Sequence, residues 1–93
     1  MNRIERHSRL GEYEGRIYAC DKIIEKLQNE IKLIPNDNPG KLYLRAVLGD
    51  VYALKDETIK YRDDWKRSVE NQDAIEDAIE DAIEETQNNG LSA

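Results

Sequence analysis

The sequence predicts an all-α fold, in which an antiparallel helical hairpin is followed by a third, acidic C-terminal helix. Apolar residues recur at alternating spacings of three and four from Leu10 to Ile34, a proline- and asparagine-rich break interrupts the chain at 35–40, and a four-residue unit is repeated three times at 74–85. Charged residues make up 37% of the composition and Phe is missing, which is typical of long helices with thin apolar stripes. The 93 residues make a single domain, 1–93.

The first helix is predicted over about 3–34. Asn2 and Ser8 are both usable N-caps for its start. The spacing of its apolar residues averages 3.5, so their side chains stay on one face of the helix. This stripe consists of Leu10, Tyr13, Ile17, Cys20, Ile24, Leu27, Ile31 and Ile34.

The turn is predicted at 35–40 and the second helix at about 39–71. Pro35 disfavours helical geometry at Ile34, and Asn38 followed by Pro39 is typical of an N-cap with proline at the first helical position. So short a connection makes the two helices antiparallel neighbours. The expected apolar stripe of the second helix is Leu44, Val47, Val51, Leu54, Thr58, Tyr61, Trp65, Ser68 and Gln72.

The third helix is predicted over about 73–88, with Asp73 as its N-cap and Asn88-Asn89-Gly90 at its end. Residues 71–73 are compatible with a break or with a continuous helix, and the predicted fold takes the break. The net charge of −6 arises here, because residues 73–93 contain seven acidic and no basic residues while the rest of the chain is nearly neutral.

Self-association is expected, because the second helix offers aliphatic partners to the first only from Leu44 to Leu54. A homo-oligomeric helical bundle would cover the remainder of the apolar stripe on the first helix. The pair Gly11 and Gly15 either permits close approach of another helix beside this region or marks a bend. The predicted oligomer seam is Leu10, Tyr13 and Ile17.

Enzymatic activity is not expected, and neither a cofactor nor a metal is predicted. His7, the sole histidine, lies in a charged turn with no neighbour to orient it, and the single Cys20 belongs on the apolar stripe as a buried thiol. Zinc sites need three or four Cys and His ligands. With no apolar run long enough for a signal peptide or a membrane span, a cytoplasmic protein is expected.

Two segments are candidate partner-binding surfaces. The first combines aromatic and basic side chains, which stack on bases and bind phosphates, although Asp63 and Asp64 weaken its field. The second is acidic and is able to mimic the phosphates of DNA. A packing surface and a solvated helix face are the competing interpretations. The residues are Tyr61, Arg62, Trp65, Lys66 and Arg67 in the first segment, and Glu76, Asp77, Glu80, Asp81 and Glu84 in the second.

The sequence is therefore interpreted as a non-enzymatic protein that binds another macromolecule, as an inhibitor or adaptor. Its expected partners are itself and an unidentified protein, for which a nucleic-acid-binding protein is the candidate class, whereas membranes and direct nucleic-acid binding are not expected. The alternative is an oligomer that sequesters a nucleotide-like ligand with Tyr, Lys and Arg between subunits. The small size and helical build resemble those of bacteriophage accessory proteins that inhibit host defence, a likeness that no motif carries.

Overall fold

The computed structural model describes the backbone of residues 1–92 and the side chains of residues 1–88. It contains two helices, α1 (Arg3–Leu33) and α2 (Pro39–Ser92), and no strand within these residues. The all-helical prediction is confirmed. The molecule is a rod with extents of 85 × 16 × 16 Å.

The predicted third helix is wrong, because α2 continues without interruption through residues 71–73 and past Asn88 to Ser92. Neither Pro nor Gly stands at residues 71–73, and Asn, Gln and Asp inside a helix cost only a few tenths of a kcal/mol each relative to Ala. Asp73 does not cap a new helix, since its carboxylate forms ion pairs with Arg3 and Arg6 of α1. That use of the side chain is compatible with helical backbone.

α1 begins at the earlier of its two candidate caps. Asn2 has extended backbone, and its side chain accepts a hydrogen bond of 2.8 Å from the backbone N–H of Glu5. This contact satisfies one of the donors left free at a helix start. Gly11 and Gly15 lie in the helix interior, and a Cβ at either would meet nothing within 4 Å. The chain therefore makes no close helix contact at the glycines.

The turn follows the sequence pattern. Asn38 accepts a hydrogen bond of 2.9 Å from the backbone N–H of Gly40, and Pro39 is the first residue of α2. The ammonium of Lys41 donates to the carbonyl of Ile34 at 3.1 Å, which satisfies an acceptor at the end of α1.

The two helices lie side by side, and their polar contacts run in antiparallel order, from Gln28–Tyr52 near the turn to Arg3–Asp77 at the far end. Every residue of the predicted α1 stripe is buried or half-buried, so this part of the prediction is confirmed. The buried apolar side chains of the described residues are Cys20, Ile24, Ile31 and Val69.

The α2 stripe differs from the prediction after Val51. Leu54 and Tyr61 are 55% and 54% exposed. One residue further along at each place, Lys55 and Arg62 occupy the contact face. Because the ammonium of Lys55 pairs with Asp21 of α1, this register places opposite charges together at the edge of the interface. The contact face continues through Thr58, Trp65, Val69, Asp73 and Glu76.

Candidate interaction surfaces

A cluster of charged side chains joins the start of α1 to the middle of α2. Arg6 is only 6% exposed, and its Nη2 donates to Asp73 at 3.1 Å and to Glu76 at 2.7 Å. Its Nη1 donates to the backbone carbonyl of Met1 at 3.0 Å. Arg3 adds a contact of 3.1 Å to Asp77. The planar guanidinium of Arg6 suits this bridging of two carboxylates.

Asp73 is the centre of the cluster. His7, expected to have no fixed neighbour, places Nε2 2.7 Å from the Asp73 carboxylate. The hydrogen bond with His7 is the largest cause that lowers the pKa of Asp73 below its ordinary value of 3.8, and Arg6 and Arg3 act in the same direction, whereas burial opposes them. Asp73 thus remains charged at neutral pH and attached to α1.

The acidic candidates fall into two groups. Glu76 and Asp77 are paired with arginines of α1 within the same chain. Glu80 lines a surface cavity with Arg3 at the start of α1, and Asp81 and Glu84 lie further along α2. None of the three makes a hydrogen bond or ion pair with any side chain that the structure describes. We call residues 78–88 of α2 the acidic extension, which projects about 16 Å at 1.5 Å per residue.

The acidic extension is amphipathic. Ile79 and Ile83 are 55% and 53% exposed, and with Ala82 and Thr86 they line an apolar surface patch. The carboxylates lie on the other side of the helix because of the four-residue repeat. An amphipathic helix without an intrachain partner is a common element of recognition.

The aromatic and basic candidates do not form one site in a single chain. Trp65 is half-buried, its Nε1 donates to the carbonyl of Arg6 at 3.0 Å, and the guanidinium of Arg9 lies 5.3 Å from its ring centroid. Lys66 and Arg67 each lie more than a quarter turn around α2 from Tyr61.

Two of the cations near Trp65 are engaged with neighbouring acids. Arg62 pairs with Asp63 at 2.9 Å, and Arg67 pairs with Asp64 at 3.0 Å. A nucleotide site built between subunits, the form in which it was predicted, stays a prediction.

The predicted oligomer seam lies against α2. Leu10, Tyr13 and Ile17 are half-buried within one chain, and Arg16 lies 5.7 Å from the Tyr13 ring centroid. Contact of these three residues with a second copy stays a prediction.

The two flanks of the helix pair differ, and this difference was missed in the sequence. One flank is bridged by polar contacts, among them His7–Asp73, Asp21–Lys55 and Gln28–Tyr52. The other flank is an open, largely apolar groove. Its lining residues are Arg16, Ala19, Cys20, Ile23, Leu54 and Thr58. The signal available in the sequence was the heptad spacing of Leu54, Tyr61, Ser68 and Ile75, which continues into the repeat.

Within the described residues, no group of three or more Asp, Glu, His or Cys side chains is placed to hold a metal ion. Neither helix, over the part of the chain described, is apolar enough along a sufficient length to span a bilayer. Comparison of the chain with protein-family models, with curated proteins and with solved structures gives no match.

Proposed function

We propose that this chain is a non-enzymatic binding protein, an inhibitor or adaptor that acts in the cytoplasm, and that the acidic extension is its contact surface for another macromolecule. The antiparallel helical hairpin formed by α1 and the first part of α2 is the scaffold in this proposal, and self-association into a helical bundle is part of it. The observation that carries the proposal is the projection of unpaired carboxylates beyond the start of α1.

The charge density of the acidic extension supports a basic partner. Its eleven residues contain four carboxylates, which is roughly one per 4 Å of helix axis at 1.5 Å per residue. One strand of duplex DNA carries a phosphate charge about every 3.4 Å. No basic residue of the segment reduces this field, so a protein with a basic nucleic-acid-binding groove is the expected partner class.

A differential capture experiment tests the proposal. The full chain is attached to a support through a cysteine introduced as Asp37→Cys, in the turn at the opposite end of the rod, and is exposed to lysate of its source at low salt. The test variant is Glu80→Gln/Asp81→Asn/Glu84→Gln. The control is Glu12→Gln/Glu14→Gln/Glu30→Gln, which removes the same charge from exposed positions of α1.

The proposal expects a protein that is captured by the wild type and by the control, is lost from the test variant and is released by salt, because exposed charges are screened within about 8–10 Å at physiological ionic strength. Equal capture by the test variant and the control would contradict it. Mass spectrometry of the eluates gives the readout.

A further inference from the structure

α2 carries a second apolar stripe that none of the side chains described for residues 1–88 covers. Its large side chains are each a little more than half exposed, between 52% and 55%. At about 100° per residue they fall within a quarter of the helix circumference, on the side of the open groove. We call this set the flank stripe: Leu54, Tyr61, Ile75, Ile79 and Ile83.

The order of residues along the flank stripe is nearly symmetric about Ser68. If a second α2 is laid antiparallel with its Ser68 beside the first, Tyr61 stands opposite Ile75. Leu54 then stands opposite Ala82, next to Ile83, and Thr58 stands opposite Ala78, next to Ile79. The small Ser68 at the centre allows the two backbones to approach, while the bulky residues of each half meet those of the other.

We propose that two copies of this chain form an antiparallel, two-fold symmetric dimer through the flank stripe, with the acidic extension of each copy seated beside the open groove of the other. In a symmetric dimer the same patch serves both partners. This interface uses residues other than the oligomer seam predicted from sequence, and it rests on the self-association that is part of the proposed function.

Charge complementarity favours a second copy as the occupant. α1 presents Arg9 and Arg16 along the rim of the open groove, where Arg9 stacks on Trp65 and Arg16 lines the groove wall. In the antiparallel register, Arg16 of one copy lies beside Glu76 and Glu80 of the other. The isoleucines of the extension meet the apolar floor at Ala19 and Ile23. An acidic, apolar helix thus meets a basic, apolar groove.

The available area reaches the threshold for a biological interface. Half-exposed side chains of this size present on the order of 100 Å² each, so five from each copy supply roughly 1,000 Å², the area that such an interface should reach. Asp77, Asp81 and Glu85 lie on the opposite side of α2 from the stripe. Asp81 and Glu85 remain accessible in the dimer to contact another partner, whereas Asp77 stays paired with Arg3 of its own chain.

The mass of the full chain in solution is the first test. Sedimentation equilibrium at micromolar concentration is expected to give the mass of two chains for the wild type and of one chain for Ile79→Lys, because the lysine would face Thr58 and Arg16 of the other copy. The matched control is Leu42→Lys, an exposed position of α2 off the stripe, which should remain dimeric. Circular dichroism verifies that both variants stay helical. A wild-type monomer, or a dimeric Ile79→Lys variant, would overturn the proposal.

Cross-linking tests the register. In a Cys20→Ser background, Ser68→Cys is expected to form a covalent dimer with a short bis-maleimide, because the two cysteines meet at the two-fold axis. Leu54→Cys lies on the same stripe, but its copies would be about 40 Å apart at 1.5 Å per residue. Equal cross-linking of both variants would indicate a parallel dimer and reject the register. Retention of the dimer by Glu80→Gln/Asp81→Asn/Glu84→Gln, combined with loss of the captured partner, would separate this inference from the proposed function.

Discussion

Arg6 is a charged side chain in a core position, and its surroundings explain why it is tolerated there. Its guanidinium bridges Asp73 and Glu76 and also donates to a backbone carbonyl. Its Nε is buried with no acceptor among the described residues, so the desolvation of the cation is only partly offset. Such a residue adds specificity of pairing, because a shifted register would leave the charge buried without a partner. Arg6 thereby fixes which part of α2 lies beside the start of α1.

Asp73 gives this cluster a pH dependence. Its pKa is lowered in the folded chain, so its stabilisation is fully present above the unfolded pKa of about 3.8 and is lost as the pH falls through the lower folded value. Asp73→Asn is expected to melt at lower temperature than the wild type at pH 7, and this difference should shrink below about pH 4.

Thermal melts followed by circular dichroism between pH 7 and pH 2 provide the measurement for Asp73. Glu12→Gln serves as the control, because Glu12 is exposed and its melting curve should follow the wild type throughout. A wild-type advantage over Asp73→Asn that stays constant down to pH 2 would show that the carboxylate charge is not the source of the stability.

At the scale of the elements, α1 was predictable and α2 only in part. The α1 stripe is continuous and aliphatic, so periodicity alone located the face that packs. In α2 two stripes run side by side after Val51, one apolar and one containing Lys55, Arg62 and Asp73. Counting apolar residues selects the apolar stripe as the packing face. In the structure the stripe that contains Lys55 and Asp73 packs against α1, because Asp21 and Arg6 of α1 pair with these two residues. Pairing across helices is not visible in the periodicity of either helix alone.

The candidate interaction surface was also predictable only in part from the sequence. The acids of the repeat were located from composition, and Glu80, Asp81 and Glu84 are exposed in the structure. That Glu76 and Asp77 are held by arginines could not be inferred, because it depends on where α1 begins relative to α2. Likewise, the sequence did not distinguish Trp65 from Tyr61 as the aromatic residue of the candidate surface. The structure separates them, because the indole of Trp65 donates a hydrogen bond to the carbonyl of Arg6.

The two glycines of α1 make the helix less stable than it need be. Each lies in the helix interior with open space where a Cβ would stand. Gly11→Ala/Gly15→Ala is therefore expected to raise the free energy of unfolding by about 1–2 kcal/mol, because alanine limits the unfolded chain and favours the helix by up to 1 kcal/mol per site.

Urea unfolding at one fixed protein concentration measures the effect of the glycine substitutions. Gly40→Ala is the contrasting variant, since its Cβ would stand 3.2 Å from the Asn38 side chain that caps α2, and it should gain less. Destabilisation by the double substitution would indicate that another helix approaches α1 at the glycines.

At the scale of the whole molecule, the chain is a two-helix rod with an overhang. Contacts between the helices end near Asp77, and α2 continues beyond them. The rod is only 16 Å across in both short directions, so few side chains are buried and none of the described ones is fully enclosed. Stability from packing is limited in so thin a core, so the proposed second copy would add to it.

Removal of the overhang is expected to leave the helix pair folded. In the Ile79→Lys background, a chain that ends at Asp81 should melt within about 4 °C of the full-length variant, which corresponds to less than about 1 kcal/mol. Removal of residues 1–7 instead deletes Arg6 and His7 and should lower the melting temperature far more. Scanning calorimetry compares the three chains. A large loss of stability on C-terminal truncation would show that residues 82–93 contact the body of the rod.

The turn at Pro35–Asn38 also sets an order in time. Contacts next to it join residues close in sequence, such as Gln28 with Tyr52, whereas the cluster at the far end joins Arg3 with Asp77. Loop closure costs more entropy as the separation grows, so the helices are expected to zip together from the turn and to fray first at the charged end. The end that opens most readily is the end from which the acidic extension projects. A partner bound to the acidic extension would therefore contact the least stable end of the rod. Its binding would slow the separation of α1 from α2 at that end.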